Sequence, residues 1–244
     1  MTKRLPEDTG TSPGDATSAR SSVGSFIPAL RFRLLTPAYD ATVRLTTRES
    51  AVKRALLESA NLDDASRLLD VGCGTGTFAI AAKRRFPKLD VFGIDPDPAV
   101  LTRARKKARL AGVHVTFVNG FATELPARDG AFDRVTSSLV FHHLTSDQKQ
   151  RAALEINRIL SDRGEFHLAD WVQPANLLMR MLFLSVQLLD GTETTRDHAA
   201  GRLLDLLSLG GLVDVVQHRR FATPAGSVGL ISARSAIADG LGTR

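Results

Sequence analysis

Between Arg67 and Thr77 the chain reads Arg-Leu-Leu-Asp-Val-Gly-Cys-Gly-Thr-Gly-Thr, and no other stretch limits its fold as strongly. Leu68, Leu69 and Val71 make a short apolar run that ends in glycines on alternate positions, Gly72, Gly74 and Gly76. A helix-like segment, Phe78 to Phe86, follows directly. The spacing predicts a strand, a tight turn and a helix start. Glycine suits such a turn because it enters backbone conformations closed to other residues and lets a ligand approach without a side chain in the way. A ligand site is therefore expected at the carboxyl end of this first strand.

The alternation continues downstream. Val91 to Ile94, Val113 to Val118, Phe132 to Leu139 and Glu165 to Trp171 read as strands. Helices are expected at Pro98 to Ala111 and at Ser146 to Leu160, the second opened by Thr145 and Gln148 in capping-box spacing and closed near Gly164. Strands alternating with helices predict an α/β fold with a mostly parallel sheet and helices on both faces. The second strand ends at Asp95, about twenty residues beyond Gly76, where a nucleotide-binding unit places the carboxylate that grips ribose hydroxyls. Arg103, Arg105, Lys106, Lys107 and Arg109 share the outer face of the following helix and are read as its solvated side.

Domain boundaries follow from shifts in composition. Residues 1–25 are rich in Ser, Thr, Gly, Pro and Asp and bury too little to offset the entropy of ordering, so they are read as a disordered tail. Residues 26–60 regain apolar side chains at helical spacing and are expected to form an N-terminal helical lid, hinged at Pro37 to Asp40. The main domain spans residues 61–234 and carries a helical cap insert at 173–210, with 235–244 as a C-terminal tail. Within the insert, Leu177, Leu178, Met181, Leu182, Phe183, Val186, Leu188 and Leu189 make a helix apolar around most of its circumference, which something must cover. Strands are expected again at Leu212 to Val216 and Val228 to Ser232, joined by a polar connection from Arg219 to Gly226.

With 244 residues the chain can hold one large domain plus a small cap. The net charge of +6 is read as a solvated surface, because no basic tract with interleaved aromatics accompanies it. A single cysteine, Cys73, excludes an internal disulfide framework and an all-cysteine metal site. No segment reaches the roughly 18 to 20 uninterrupted apolar residues of a membrane span. Lys3 and Arg4 lack the apolar stretch of a secretory signal behind them, so a cytoplasmic location is expected, with room for peripheral membrane contact.

A dehydrogenase fingerprint wants glycine or alanine where Thr77 stands, so a nicotinamide cofactor fits poorly. The run Asp70 to Gly76 instead resembles motif I of class I S-adenosylmethionine-dependent methyltransferases, of the type that methylates small molecules, quinones and lipids. Asp95, Glu124-Leu125-Pro126 and Phe132-Asp133 follow at that family's spacing. The resemblance implies a Rossmann-like, seven-stranded, mostly parallel sheet with an antiparallel last strand, and S-adenosyl-L-methionine as cofactor. It implies that the backbone of Gly72, Cys73, Gly74 and Gly76 passes under the methionine and ribose, that Asp70 supports the turn, that Asp95 accepts both ribose hydroxyls, and that Pro96 and Asp97 border the adenine. Many relatives read Gly-Asp-Ala where this chain has Gly120-Phe121-Ala122, so Phe121 is expected to pack on adenine while the Ala122 backbone supplies polar recognition. Ser138 and Leu139 lead into the floor beneath the methyl group, where His142 and His143 are candidate general bases. Tyr39 resembles the lid tyrosine of quinone- and lipid-methylating relatives.

No metal site is expected, because His142 and His143 are adjacent, off helical ligand spacing and without a cysteine partner. The acceptor is expected to be a small, largely hydrophobic molecule held by the cap, with Arg180, Asp190, Glu193 and Arg196 as polar anchors. Methylation at oxygen, nitrogen or carbon all remain open, and so does the oligomeric state. One alternative is a nucleic-acid methylase, disfavoured because Ser137-Ser138-Leu139-Val140 replaces the Asn/Asp-Pro-Pro-aromatic sequence of amino-directed enzymes. Another is a regulator that binds the cofactor without catalysis.

Overall fold

The computed structural model describes residues 49–236. The N-terminal tail, most of the expected lid with Tyr39, and residues 237–244 of the expected C-terminal tail therefore lie outside the described residues, while Ser235 of that tail ends the last strand. What remains of the lid region is helix α1 (Glu49–Ser59), which buries Val52, Ala55 and Leu56 against the domain.

The chain then alternates as the apolar pattern dictates. Strand β1 (Arg67–Val71) leads into α2 (Thr77–Arg85), β2 (Asp90–Asp95) into α3 (Pro98–Leu110), and β3 (Thr116–Asn119) is followed by β4 (Phe132–Ser138). Next come α4 (Ser146–Ile159), β5 (Leu160–Trp171), three cap helices, α5 (Leu177–Asp190), α6 (Thr192–Ala199) and α7 (Leu203–Leu209), and the strands β6 (Leu212–Thr223) and β7 (Gly226–Ser235). All seven strands form one sheet in the order β3-β2-β1-β4-β5-β7-β6. Only β7 runs against its neighbours, pairing antiparallel with both β5 and β6. The order reverses between β1 and β4, so the crevice at their carboxyl ends is the place where such a sheet binds ligands.

Two apolar clusters cover the sheet's faces. One joins Leu69, Val71, Phe92, Phe132 and Phe166 to Ala152, Ile156 and Ile159 of α4; the other joins Leu68, Val91 and Phe117 to Phe78, Ala82, Leu101 and Ala104 of α2 and α3. Each fully buried large side chain contributes roughly 1.5–3 kcal/mol. Asp133 locks β4 to the entry of β1, its Oδ2 accepting from the backbone N–H groups of Ser66 and Arg67 at 2.9 and 3.0 Å.

Three expectations need correction. Helix α4 ends at Ile159 and the chain passes straight into β5 at Leu160, so Gly164 lies inside a strand and does not close the helix. The polar stretch from Arg219 to Gly226 is no loop: β6 runs to Thr223 and β7 starts at Gly226. Strand β6 is the sheet's edge, and an edge strand carries polar side chains because one face and one border meet water. Finally, α5 is not wrapped on all sides. Phe183 and Val186 are its buried residues, while Leu177, Leu178, Met181, Leu184, Leu188 and Leu189 are exposed among the described residues. Among these residues no helix is long and apolar enough to cross a membrane.

Candidate active site

The turn after β1 is shaped by backbone demands. Gly72 and Gly76 take φ values of 69° and 73°, in the left-handed region, and a Cβ on Gly72 would overlap the Val140 side chain. At Gly74 an added Cβ meets nothing within 4 Å, so the turn opens to free space at its tip. The turn is hung on the end of β2 by Gly72 and Cys73, whose N–H groups both donate to Ile94 O at 2.8 and 3.0 Å. Cys73 itself is buried, and burial pushes its thiol pKa up, so only its backbone can face a ligand.

Asp95 stands beside that opening. Its Oδ2 accepts from Gly74 N at 2.9 Å and its Oδ1 from Asp97 N at 3.0 Å, which fixes the carboxylate against the turn. Burial raises its pKa, opposed by those two backbone bonds. A carboxylate has about four lone-pair sites, so roughly two remain for further donors. Asp97 caps α3, accepting from Ala99 N and Val100 N, and Pro96 sits half-buried between the two carboxylates. Phe121 follows β3 in a short turn bridged to Glu124, with its residue surface 41% exposed. At that exposure Phe121 is not a core side chain. Ala122 next to it packs partly against the sheet.

Asp70 lies below the turn, 1% exposed, accepting from Thr136 Oγ1 at 3.2 Å. Burial pushes its pKa up to about 7, against the pull of Lys53 and the Thr136 bond.

Ser138, the last residue of β4, is half-buried, and Leu139 after it takes φ 57°, a conformation uncommon for leucine, anchored by its N–H to Ala169 O at 2.8 Å. This bend delivers the single turn Phe141–His143 to the carboxyl edge of the sheet. Asp170, near the end of β5, holds that turn in place. Its Oδ2 accepts from Val140 N and Phe141 N, and its Oδ1 from Trp171 N and from the His142 ring at Nδ1, 2.8 Å away. Burial opposes the Asp170 charge, but His142 and these hydrogen bonds hold its pKa below the ordinary range. For His142 burial again opposes charge, and Asp170 and Asp190 outweigh it, raising the pKa. His143 is moved the other way, down, by burial and then by the charge of His142.

The structure brings Asp190, from the end of α5, against both histidines: Oδ2 is 3.7 Å from His142 Nε2 and Oδ1 is 3.9 Å from His143 Nδ1. Arg180, Glu193 and Arg196, the other expected anchors, are exposed. Asp170 and His198 went unrecognised in the sequence. Asp170 had one signal available, an acidic residue at the end of a predicted strand, while His198 had none.

A methyltransferase-domain family model matches residues 68–164. Over 154 residues the chain is 34% identical to a demethylmenaquinone methyltransferase of Deinococcus radiodurans, covering 62% of this chain and 63% of that protein. The chain thus spans a little under two thirds of that relative's length. Over 179 residues it is 30% identical to an uncharacterized methyltransferase of Synechocystis, covering 73% of this chain and 80% of the relative. Its fold matches a SAM-dependent methyltransferase structure from Thermotoga maritima with a TM-score of 0.62 at 21% identity, over 82% of this chain and 96% of the other. The open glycine turn with Asp95 beside it, together with the extent of the Synechocystis match, establishes that the chain belongs to the class I S-adenosylmethionine-dependent methyltransferase family.

Proposed function

We propose that this protein binds S-adenosyl-L-methionine in the turn Gly72–Gly76 and transfers its methyl group to a small, largely hydrophobic acceptor. The observation that carries the reading is the free space over Gly74 beside an oriented carboxylate, Asp95, with acceptor capacity left for a diol. The bound cofactor would supply a methyl group on a positively charged sulfur, ready for in-line displacement. Asp95 would take the ribose hydroxyls, Phe121 would lie on the adenine with the Ala122 backbone beside it, and Pro96 would line the same edge. Asp70 would support the turn and the amino-acid end, and Ser138 and Leu139 would carry the chain into the floor of the site. His143, with its side chain 36% exposed and its pKa lowered, stays neutral near pH 7 and can turn a ring nitrogen towards the acceptor, but the same lowering makes it a weak base, so proton removal is not assigned to it. Aligning the partners and excluding water supplies most of the catalysis, roughly 7–11 kcal/mol where alignment is good.

The acceptor is read as a quinone-, phenol- or polyketide-like molecule, supported by the apolar α5 and by the name of the Deinococcus relative. The reaction is read as cytoplasmic and free of stable nucleic acid. Calorimetric titration with S-adenosyl-L-methionine and its demethylated product tests the cofactor. Wild type should bind, Asp95→Ala should weaken binding at least about tenfold through two lost charge-assisted hydrogen bonds, and Phe121→Ala should weaken it about three- to tenfold through lost aromatic packing. Unchanged affinity in both variants would overturn the assigned site. Labelled methyl transfer into a panel of demethylated quinones and phenols tests the acceptor, and tight cofactor binding with no transfer would favour a regulator instead.

A further inference from the structure

Methyl transfer by alignment alone leaves one group of side chains unexplained. At the carboxyl ends of β4 and β5, donor atoms of His142, His143 and Asp190 all lie within 4.8 Å of one another. Two donors on one tetrahedral cation, with bonds of about 2.1 Å, stand about 3.4 Å apart. Measured from its two oxygens, Asp190 lies 3.7 Å (Oδ2) from His142 Nε2 and 3.9 Å (Oδ1) from His143 Nδ1, a few tenths of an ångström beyond that spacing.

The surroundings match what metal-bound imidazoles need. His142 is tied at Nδ1 to Asp170, 2.8 Å away, so the ring's orientation is fixed and Nε2 is the nitrogen presented towards Asp190. Asp170 is itself held by three backbone N–H groups. Charge points the same way. Asp170 and Asp190 bring two negative charges to a largely buried wall, whereas the buried cation of this region, Lys149, is paired with Asp197 at 3.1 Å. His198 adds a further nitrogen: its Nδ1 lies 2.6 Å from Trp171 O, its Nε2 is buried without a hydrogen-bond partner, and its ring centre is 6.3 Å from that of His142. The His143 side chain is 36% exposed, which leaves an entry path.

We propose that His142 Nε2, His143 Nδ1 and the Asp190 carboxylate bind a divalent cation of the zinc or cobalt type in the acceptor half of the site. Two imidazoles and one carboxylate favour such a borderline cation over magnesium or calcium, which take oxygen ligands. Three protein ligands leave at least one position open. An acceptor carrying a hydroxyl beside a carbonyl or a second hydroxyl suits it, because it can reach the cation through two oxygens. This role rests on the methyl-transfer reading. The cation lowers the hydroxyl pKa and its proton leaves to water; the oxygen then bonds to the methyl carbon as the carbon–sulfur bond breaks and its electron pair returns to sulfur.

The test uses the full, untagged chain, stripped with chelator and titrated with cobalt(II) chloride while the visible d–d absorption is followed, without cofactor. One cobalt per chain is expected, with a band of four- or five-coordinate intensity that zinc(II) displaces. His143→Ala and Asp190→Asn, both at partly open positions, should each weaken binding more than about tenfold with unchanged far-ultraviolet circular dichroism. No band at stoichiometric cobalt, or a band equally strong in both variants, overturns the site. Turnover is then compared with and without metal. A chain that binds cobalt as stated but methylates equally well when stripped loses the cation's role while methyl transfer stands; a chain that transfers no methyl in either state, on any chelating acceptor, fails the methyl-transfer reading, and the cobalt titration is unaffected.

Discussion

Asp70 is a carboxyl group whose charge the fold resists, and that has a consequence for stability. Its pKa rises from 3.8 to about 7 in the folded chain, chiefly because burial removes water from the carboxylate. A group raised on folding stabilises the native state below its unfolded value and loses that contribution as the pH climbs through the folded value. Without cofactor, the protein should therefore lose on the order of 2–3 kcal/mol between pH 5 and pH 8 from this residue. Asp70→Asn keeps an oxygen for Thr136 Oγ1 and has nothing to ionise, so urea unfolding at the two pH values should show the wild type, but not the variant, carrying that loss. Equal slopes would remove Asp70 as the cause. At this scale the sequence was informative where chemistry is local: the glycines, Asp95 and Phe121 each stand in a short recognisable context. It marked Asp190 only as one of four polar residues in the cap and Asp170 only as an acid at a strand end, because their meaning comes from meeting His142 across 28 and 48 positions, through pairings that only the folded sheet and cap create.

Among the elements, α4 shows how far local signals reach. Thr145 Oγ1 accepts from Gln148 N at 3.3 Å and Gln148 Oε1 accepts from Thr145 N at 3.0 Å, the reciprocal cap that the spacing predicts. The cap satisfies donors that the first helical turn leaves open. Thr145→Ala should cost about 1 kcal/mol in denaturant unfolding, with the slope against denaturant unchanged. A cost near zero would mean that the Lys149 and Asp197 contacts alone define this helix start. The helix end was harder to read. Leu160 is apolar and fits a helix stripe as well as a strand, and Gly164 looks like a stop; what decides is pairing of Leu160 with Phe132, invisible in a single segment. The underestimate of β6 and β7 has the same origin. Arg219 and Arg220 look like the start of a loop but are held in a strand by the ladder to Leu230 and Gly229.

For the molecule as a whole, the question is how the cap is held where Asp190 can meet the histidines. Helix α5 docks through Phe183, whose ring packs edge-on against Trp171 at 5.7 Å, and leaves most of its leucines exposed. Apolar burial alone is thus a thin attachment. The second tie is polar and comes one helix later. Lys149 of α4, fully buried, donates to Leu144 O, to Thr194 O and to Asp197 Oδ2 at 3.1 Å, and Asp197 also accepts from Ser146 Oγ and from Arg202. One ammonium therefore joins the end of the histidine turn to the helix that follows Asp190. Lys149→Met should cost about 3–5 kcal/mol, because it leaves Asp197 and two carbonyls buried with fewer partners. The loss should also be localised. Hydrogen exchange should rise first in α6 and around Asp190, while β1 and β2 keep their protection. Cofactor affinity should then fall less than about threefold, while any activity or metal binding that depends on Asp190 drops with the cap. If instead exchange rises evenly over the sheet, Lys149 supports the whole domain and the cap has no separate hold on the site.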